Sequence, residues 1–164
     1  MNTIIGIDPG NIESAICVYD GERIFYCAKV PNGDLFRIIK EHHDEFTLYR
    51  KTPARVYMET IQSYGMSVGQ EIFDTCFFIG RMQQRMEDNS ILYNMVKRKE
   101  IAQHHCLSVK ANDSNITTAL VDRFDPSRTF GKYGKGTVKN TGSGGWAKCQ
   151  KSPLFVTPKE DKKR

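Results

Sequence analysis

Asp8 closes the apolar run Thr3-Ile4-Ile5-Gly6-Ile7 and is followed by Pro9-Gly10, while Glu59 closes Arg55-Val56-Tyr57-Met58. Apolar runs of this length read as strands buried on both faces, so each acid stands at the carboxyl end of an expected core strand. If the two strands are parallel neighbours, their axes lie about 4.8 Å apart and both carboxylates reach one site. Like charges held that close repel unless a cation joins them, and oxygen ligands select Mg²⁺ or Mn²⁺. Metal-assisted cleavage of a phosphodiester is the chemistry such a pair supports. Asp8 alone also fits a plain turn, since Asp-Pro-Gly is good turn chemistry in its own right; the pairing with Glu59 favours chemistry.

The intervening chain has to bring those strands together. Ser14 to Tyr19 is apolar and β-branched enough for a second strand. Asp20-Gly21 signals a tight hairpin into a third strand over 23–28, giving an antiparallel meander. After Pro31-Asn32-Gly33, Asp34 is expected to cap a helix whose face runs through Leu35, Ile38, Ile39, His42 and Phe46. A right-handed crossover of this kind places the Glu59 strand parallel to the first and beside it. Beyond a polar loop over 62–69, Val68, Ile72, Cys76, Ile79 and Met86 mark a long helix. Phe73, Phe77 and Phe78 widen its apolar surface, so it is expected to be buried, with Gly80 marking close backbone packing. Residues 91–96 read as a fifth strand, Lys97 to about His105 as a short basic helix, and Asn112-Asp113-Ser114 as the cap of a last helix through Ile116, Ala119, Leu120 and Phe124.

Composition narrows the class. The chain has 164 residues and a formal net charge of +5, enough for one domain with a real core. Residues 1–130 hold 15 Lys+Arg against 17 Asp+Glu, whereas residues 131–164 hold 9 against 2. The basicity therefore belongs to a Gly/Lys-rich tail over 131–164, expected to be a flexible extension of a domain over 1–130. Five cysteines without a Cys-x-x-Cys spacing indicate neither a disulfide framework nor a zinc site. No apolar run approaches membrane-spanning length, and a cytoplasmic location is expected.

The order β-β-β-α-β-α-β-α is that of a ribonuclease-H-like α/β fold, a mixed five-stranded sheet flanked by helices. Within it, Gly6-Ile7-Asp8-Pro9-Gly10, Tyr57-Met58-Glu59, the helix from Gly69-Gln70 through Gly80, and Lys97-Arg98-Lys99-Glu100-Ile101 followed by Lys110-Ala111-Asn112-Asp113 together resemble the RuvC-type Holliday-junction resolvases, most closely their phage branch. The resemblance runs from residue 1 to about residue 125. It implies a homodimeric endonuclease that cuts four-way DNA junctions in a bacterial or phage-infected cell. Asp8 and Glu59 would serve as catalytic ligands of Mg²⁺, for which Mn²⁺ can substitute. The family completes its site with one or two acids on a C-terminal helix, where this chain instead runs into Gly142-Ser143-Gly144-Gly145-Trp146 and lysines. Cleavage is therefore expected to be impaired, and a binding-only protein for branched DNA is the alternative.

Lys97, Arg98, Lys99 and the more distant Lys110 are the expected phosphate contacts, although a charge run is also an ordinary solvated face. The loop Gln62-Ser63-Tyr64-Gly65-Met66 directly after Glu59 carries an aromatic and an apolar wedge able to stack on unpaired bases; Tyr64 and Met66 equally fit a role covering the core. Asp113 reads as a helix cap, and Asp122 and Asp125 approach the acid pair only if the last helix packs against the strand ends. His42-His43 and His104-His105 lack a third ligand at metal spacing. An actin-like phosphotransfer fold also opens with strand, Asp and Gly, but needs a second set of nucleotide-binding glycines that these residues do not supply.

Overall fold

In the computed structural model the described residues are 3–63, 65 and 67–124; the expected tail over 131–164, Asp125, Tyr64 and Met66 lie outside them. Strand β1 (Thr3–Asp8) pairs antiparallel with β2 (Glu13–Tyr19), which pairs antiparallel with β3 (Ile24–Pro31). Helix α1 (Asn32–Asp44) and a π-helical turn (Glu45–Tyr49) then carry the chain across to β4 (Ala54–Thr60), parallel to β1. Helix α2 (Gln70–Asp88) leads to β5 (Tyr93–Lys97), parallel to β4, followed by α3 (Arg98–Cys106) and α4 (Asp113–Phe124). The sheet order is β3-β2-β1-β4-β5, the expected mixed five-stranded α/β sheet.

Side-chain alternation along β1 sorts its two faces. Ile5 and Ile7 point into the core beside Val56 and Met58 of β4, and Leu35, Ile39, Phe78, Met82 and Met86 of α1 and α2 close over them. Ile4 and Asp8 point the other way and are exposed. On that second face Tyr19, the register partner of Ile4, meets Phe124 edge-on with ring centroids 5.9 Å apart. Helix α4 thus runs from the carboxyl ends of the parallel strands, where Asp113 lies, to the far end of the sheet.

Five local expectations are corrected. Asp34 does not cap α1: the chain enters that helix straight from Pro31, whose φ of −57° and ψ of 140° are extended, and Asp34 sits in the first turn beside Arg37 at 3.6 Å. Helix α2 is not buried all round; it buries the stripe Thr75, Phe78, Ile79, Met82 and Met86 and leaves Phe73 50% and Phe77 68% exposed. Val68 precedes the helix and is exposed. Gly80 faces open space, since a Cβ there would meet nothing within 4 Å, so it reflects no close packing. At α4 the cap is Asn112, not Asp113: Asn112 Oδ1 accepts from the Asn115 N–H at 3.0 Å and Asn115 Oδ1 accepts from the Asn112 N–H at 3.2 Å.

Candidate functional site

The register of the parallel strands sets the acids side by side. Ile7 partners Met58, so Asp8 and Glu59, the next residues on adjacent strands, leave the same end of the sheet on the same face. On the other side of β4, Glu59 partners Val96 and Thr60 partners Lys97, which places Arg98 one residue beyond that edge. Its guanidinium stands 3.9 Å from Glu59 Oε2 and donates to Asp113 Oδ1. Four charged groups from β1, β4, α3 and α4 therefore converge at the carboxyl ends of the central strands.

The loop behind Asp8 is fixed by side chains far apart in sequence. Ser14, almost fully buried, accepts from the Gly10 N–H at 3.3 Å and donates to Asn32 Oδ1 at 2.6 Å, while the Asn32 amide nitrogen donates to the Gly10 carbonyl at 2.9 Å. The Asn32 backbone N–H donates to the Ile12 carbonyl at 2.9 Å. Gly10 is required there, because a Cβ would run into the Glu13 carbonyl oxygen. A cleft of about 390 Å³ opens beside Asp8, lined by Gly10, Asn11, Glu13 and Lys29 among others. At its rim Lys29 pairs with Glu13 at 3.2 Å.

Electrostatics mark the pair as under-compensated. Burial pushes the Glu59 carboxyl up, and the Asp8 charge adds to that; Arg98 pulls it back and Asp113 pushes again. Asp8 is likewise raised, first by desolvation, with Arg98 and Lys29 opposing and Asp113 reinforcing. In both carboxyls the cost of burial outweighs the opposing charge of Arg98, which offsets it only in part. Two hard oxygen donors under mutual repulsion suit a divalent cation that keeps several waters. Among the described residues, no group of three or more His, Cys, Asp or Glu side chains lies at metal-binding spacing.

The other expected site residues fall around this centre unequally. Lys97 ends β5, and Lys99 is in the first turn of α3, where Glu100 accepts from the Lys97 N–H at 2.9 Å. Gln62 and Ser63 follow β4 after Ile61, at the same end of the sheet; Ser63 is exposed, and its hydroxyl accepts from the Gly65 N–H at 3.3 Å. Lys110 is exposed in the loop that leads to Asp113. Asp122, by contrast, sits near the far end of α4. His42 is stacked on Tyr26 with centroids 4.8 Å apart, and burial lowers its pKa. Sequence reasoning missed Ser14 and Asn32, whose only signal is polar chemistry flanking a turn, and it missed the bridge from Arg98 to Asp113.

No family model and no curated protein matches the chain. Among solved structures, it is similar to RuvC from Thermus thermophilus, with 16% identity over 73% of this chain and 78% of that one, at a TM-score of 0.51. It is also similar to T. thermophilus RuvC in complex with Holliday junction substrate, with 13% identity, 74% and 78% coverage and a TM-score of 0.57. At these identities the likeness establishes the fold, ribonuclease-H-like as in RuvC.

Proposed function

We propose that this protein is a structure-selective endonuclease that binds four-way DNA junctions and hydrolyses a phosphodiester with Mg²⁺, for which Mn²⁺ substitutes, held by Asp8 and Glu59. The observation that carries the reading is the register of β1 and β4, which sets two carboxylates side by side at adjacent strand ends of this fold. A divalent ion bound there supplies Lewis-acid polarisation of the phosphate and a more acidic water.

The remaining work falls to the chain's own groups. Arg98, Lys97, Lys99 and Lys110 supply positive charge near the site for the DNA backbone, with an affinity that falls as salt rises. Gln62, Ser63, Tyr64 and Met66 form the segment proposed to enter the junction, since it begins three residues after Glu59 and carries groups that stack on unpaired bases. Two symmetric cuts need two sites, and the proposed homodimer uses α2, where Phe73 and Phe77 stand one turn apart and exposed. The proposed setting is the cytoplasm of a bacterial or phage-infected cell; among the described residues no helix is long and apolar enough to cross a membrane.

A second reading, binding without cleavage, is favoured by one observation: among the described residues the site has two acids and no third at metal spacing. Losing part of such electrostatic stabilisation costs roughly two to three orders of magnitude in rate. A gel-shift titration of a synthetic four-way junction against linear duplex, followed by Mg²⁺ or Mn²⁺ addition, tests both. Selective binding with slow paired nicks supports the endonuclease, selective binding without nicks supports the second reading, and equal affinity for linear duplex overturns both.

A further inference from the structure

The acid pair already has a cation beside it, and that cation is gripped unequally. One guanidinium nitrogen of Arg98 lies 3.9 Å from Glu59 Oε2, within ion-pair range but beyond a hydrogen bond; the other donates to Asp113 Oδ1. Arg98 is about a third exposed, Glu59 about a fifth, and Asp113 more than three quarters. The loose contact is thus on the sheltered acid and the tight contact on the solvent-facing one. We propose that Arg98 is the built-in counter-ion of the Asp8–Glu59 pair, tethered by Asp113, and that a divalent cation binds by displacing its guanidinium from Glu59. This rests on the metal reading of Asp8 and Glu59 and adds two residues to it.

Three physical facts support the assignment. Arginine does not lose its proton in a protein, so its charge leaves the site only by moving. Asp113 bonds the guanidinium itself, which makes it a positioning residue that acts through Arg98. Once displaced, a guanidinium still held by Asp113 remains at the strand ends, where its planar fork suits phosphate oxygens. The same side chain then shields the acids in the empty site and faces the DNA backbone in the loaded one.

The test is calorimetric titration of the DNA-free full chain with Mn²⁺ alone, comparing wild type with R98Q, R98K, D113N, R98Q/D113N and D8N. Removing a unit charge a few ångströms from a partly solvated ion should tighten Mn²⁺ binding about tenfold in R98Q, while R98K stays near wild type. D113N should weaken binding severalfold, because the released guanidinium settles on Glu59. That loss should largely vanish in R98Q/D113N, which simple removal of a negative charge would not produce. Thermal melting in EDTA gives a second readout: R98Q should melt below wild type and gain more from Mn²⁺. Unchanged or weaker Mn²⁺ binding in R98Q, with binding still lost in D8N, overturns the role of Arg98 and leaves the metal site standing. Equal Mn²⁺ binding by wild type and D8N overturns the metal reading itself.

Discussion

Asp8 and Glu59 each follow the Ile7–Met58 register pair of two parallel strands, and both carboxyls are raised from their ordinary values, with desolvation the largest cause. The folded protein therefore holds protons on them more tightly than the unfolded chain does. Stability contributed by the protonated groups is present below the unfolded pKa, is lost as pH rises through the folded pKa, and stays lost above it.

In EDTA at neutral pH, Asp8→Asn should accordingly melt higher than wild type, because it removes one of two repelling charges. The gain should shrink as pH falls through the carboxylate range and vanish once both acids are protonated in wild type. Melting curves across pH check this; a gain that grows toward acid pH would contradict the assigned shifts.

Asn32 and Gly10 form the clamp that holds the Asp8 loop. Asn32→Ala strands the buried Ser14 hydroxyl and the Gly10 carbonyl and should cost about 1–3 kcal/mol. Gly10→Ala, which forces a methyl against the Glu13 carbonyl, should cost a similar amount, roughly 1–3 kcal/mol. Urea denaturation measures both, and full stability in either variant would show that the loop is not locked as described.

The exposed pair on α2 bears on assembly. Phe77→Glu should shift the sedimentation coefficient from dimer to monomer while the melting temperature changes little, since Phe77 is 68% exposed in the single chain. An unchanged dimer would move the interface elsewhere.

Removing residues 131–164 takes away 9 Lys+Arg against 2 Asp+Glu. Junction binding should weaken, and its dependence on salt should flatten, because fewer phosphates release counterions. The melting temperature should stay nearly constant; a large drop would show that this segment packs on the domain.

Much of the site's frame was legible in the sequence because it rests on local signals. Continuous apolar runs ending at Asp8 and Glu59, Asp20-Gly21 at the hairpin, and a crossover helix through Leu35, Ile38 and Ile39 together specify the mixed sheet. What stayed hidden depends on contacts without periodicity. Asn32 reaches Gly10 across 22 residues and Arg98 reaches Asp113 across 15, and neither spacing follows a helix or strand period. Phe73 and Phe77 misled for a different reason: apolar spacing reports a face to be covered, whether by the chain's own core or by another molecule. The segment Asn112-Asp113-Ser114 offers capping chemistry at more than one position, and only the contacts show that Asn112 makes the capping bonds and leaves Asp113 to Arg98.

The most direct measurement is single-turnover nicking of an end-labelled four-way junction in Mn²⁺ by wild type, Asp8→Asn and Glu59→Gln, with junction affinity measured in parallel. Wild type should nick slowly and neither variant at all, while all three bind the junction, the variants equally or more tightly, since each loses a negative charge facing phosphate. Nicking by Asp8→Asn or Glu59→Gln at the wild-type rate would contradict it.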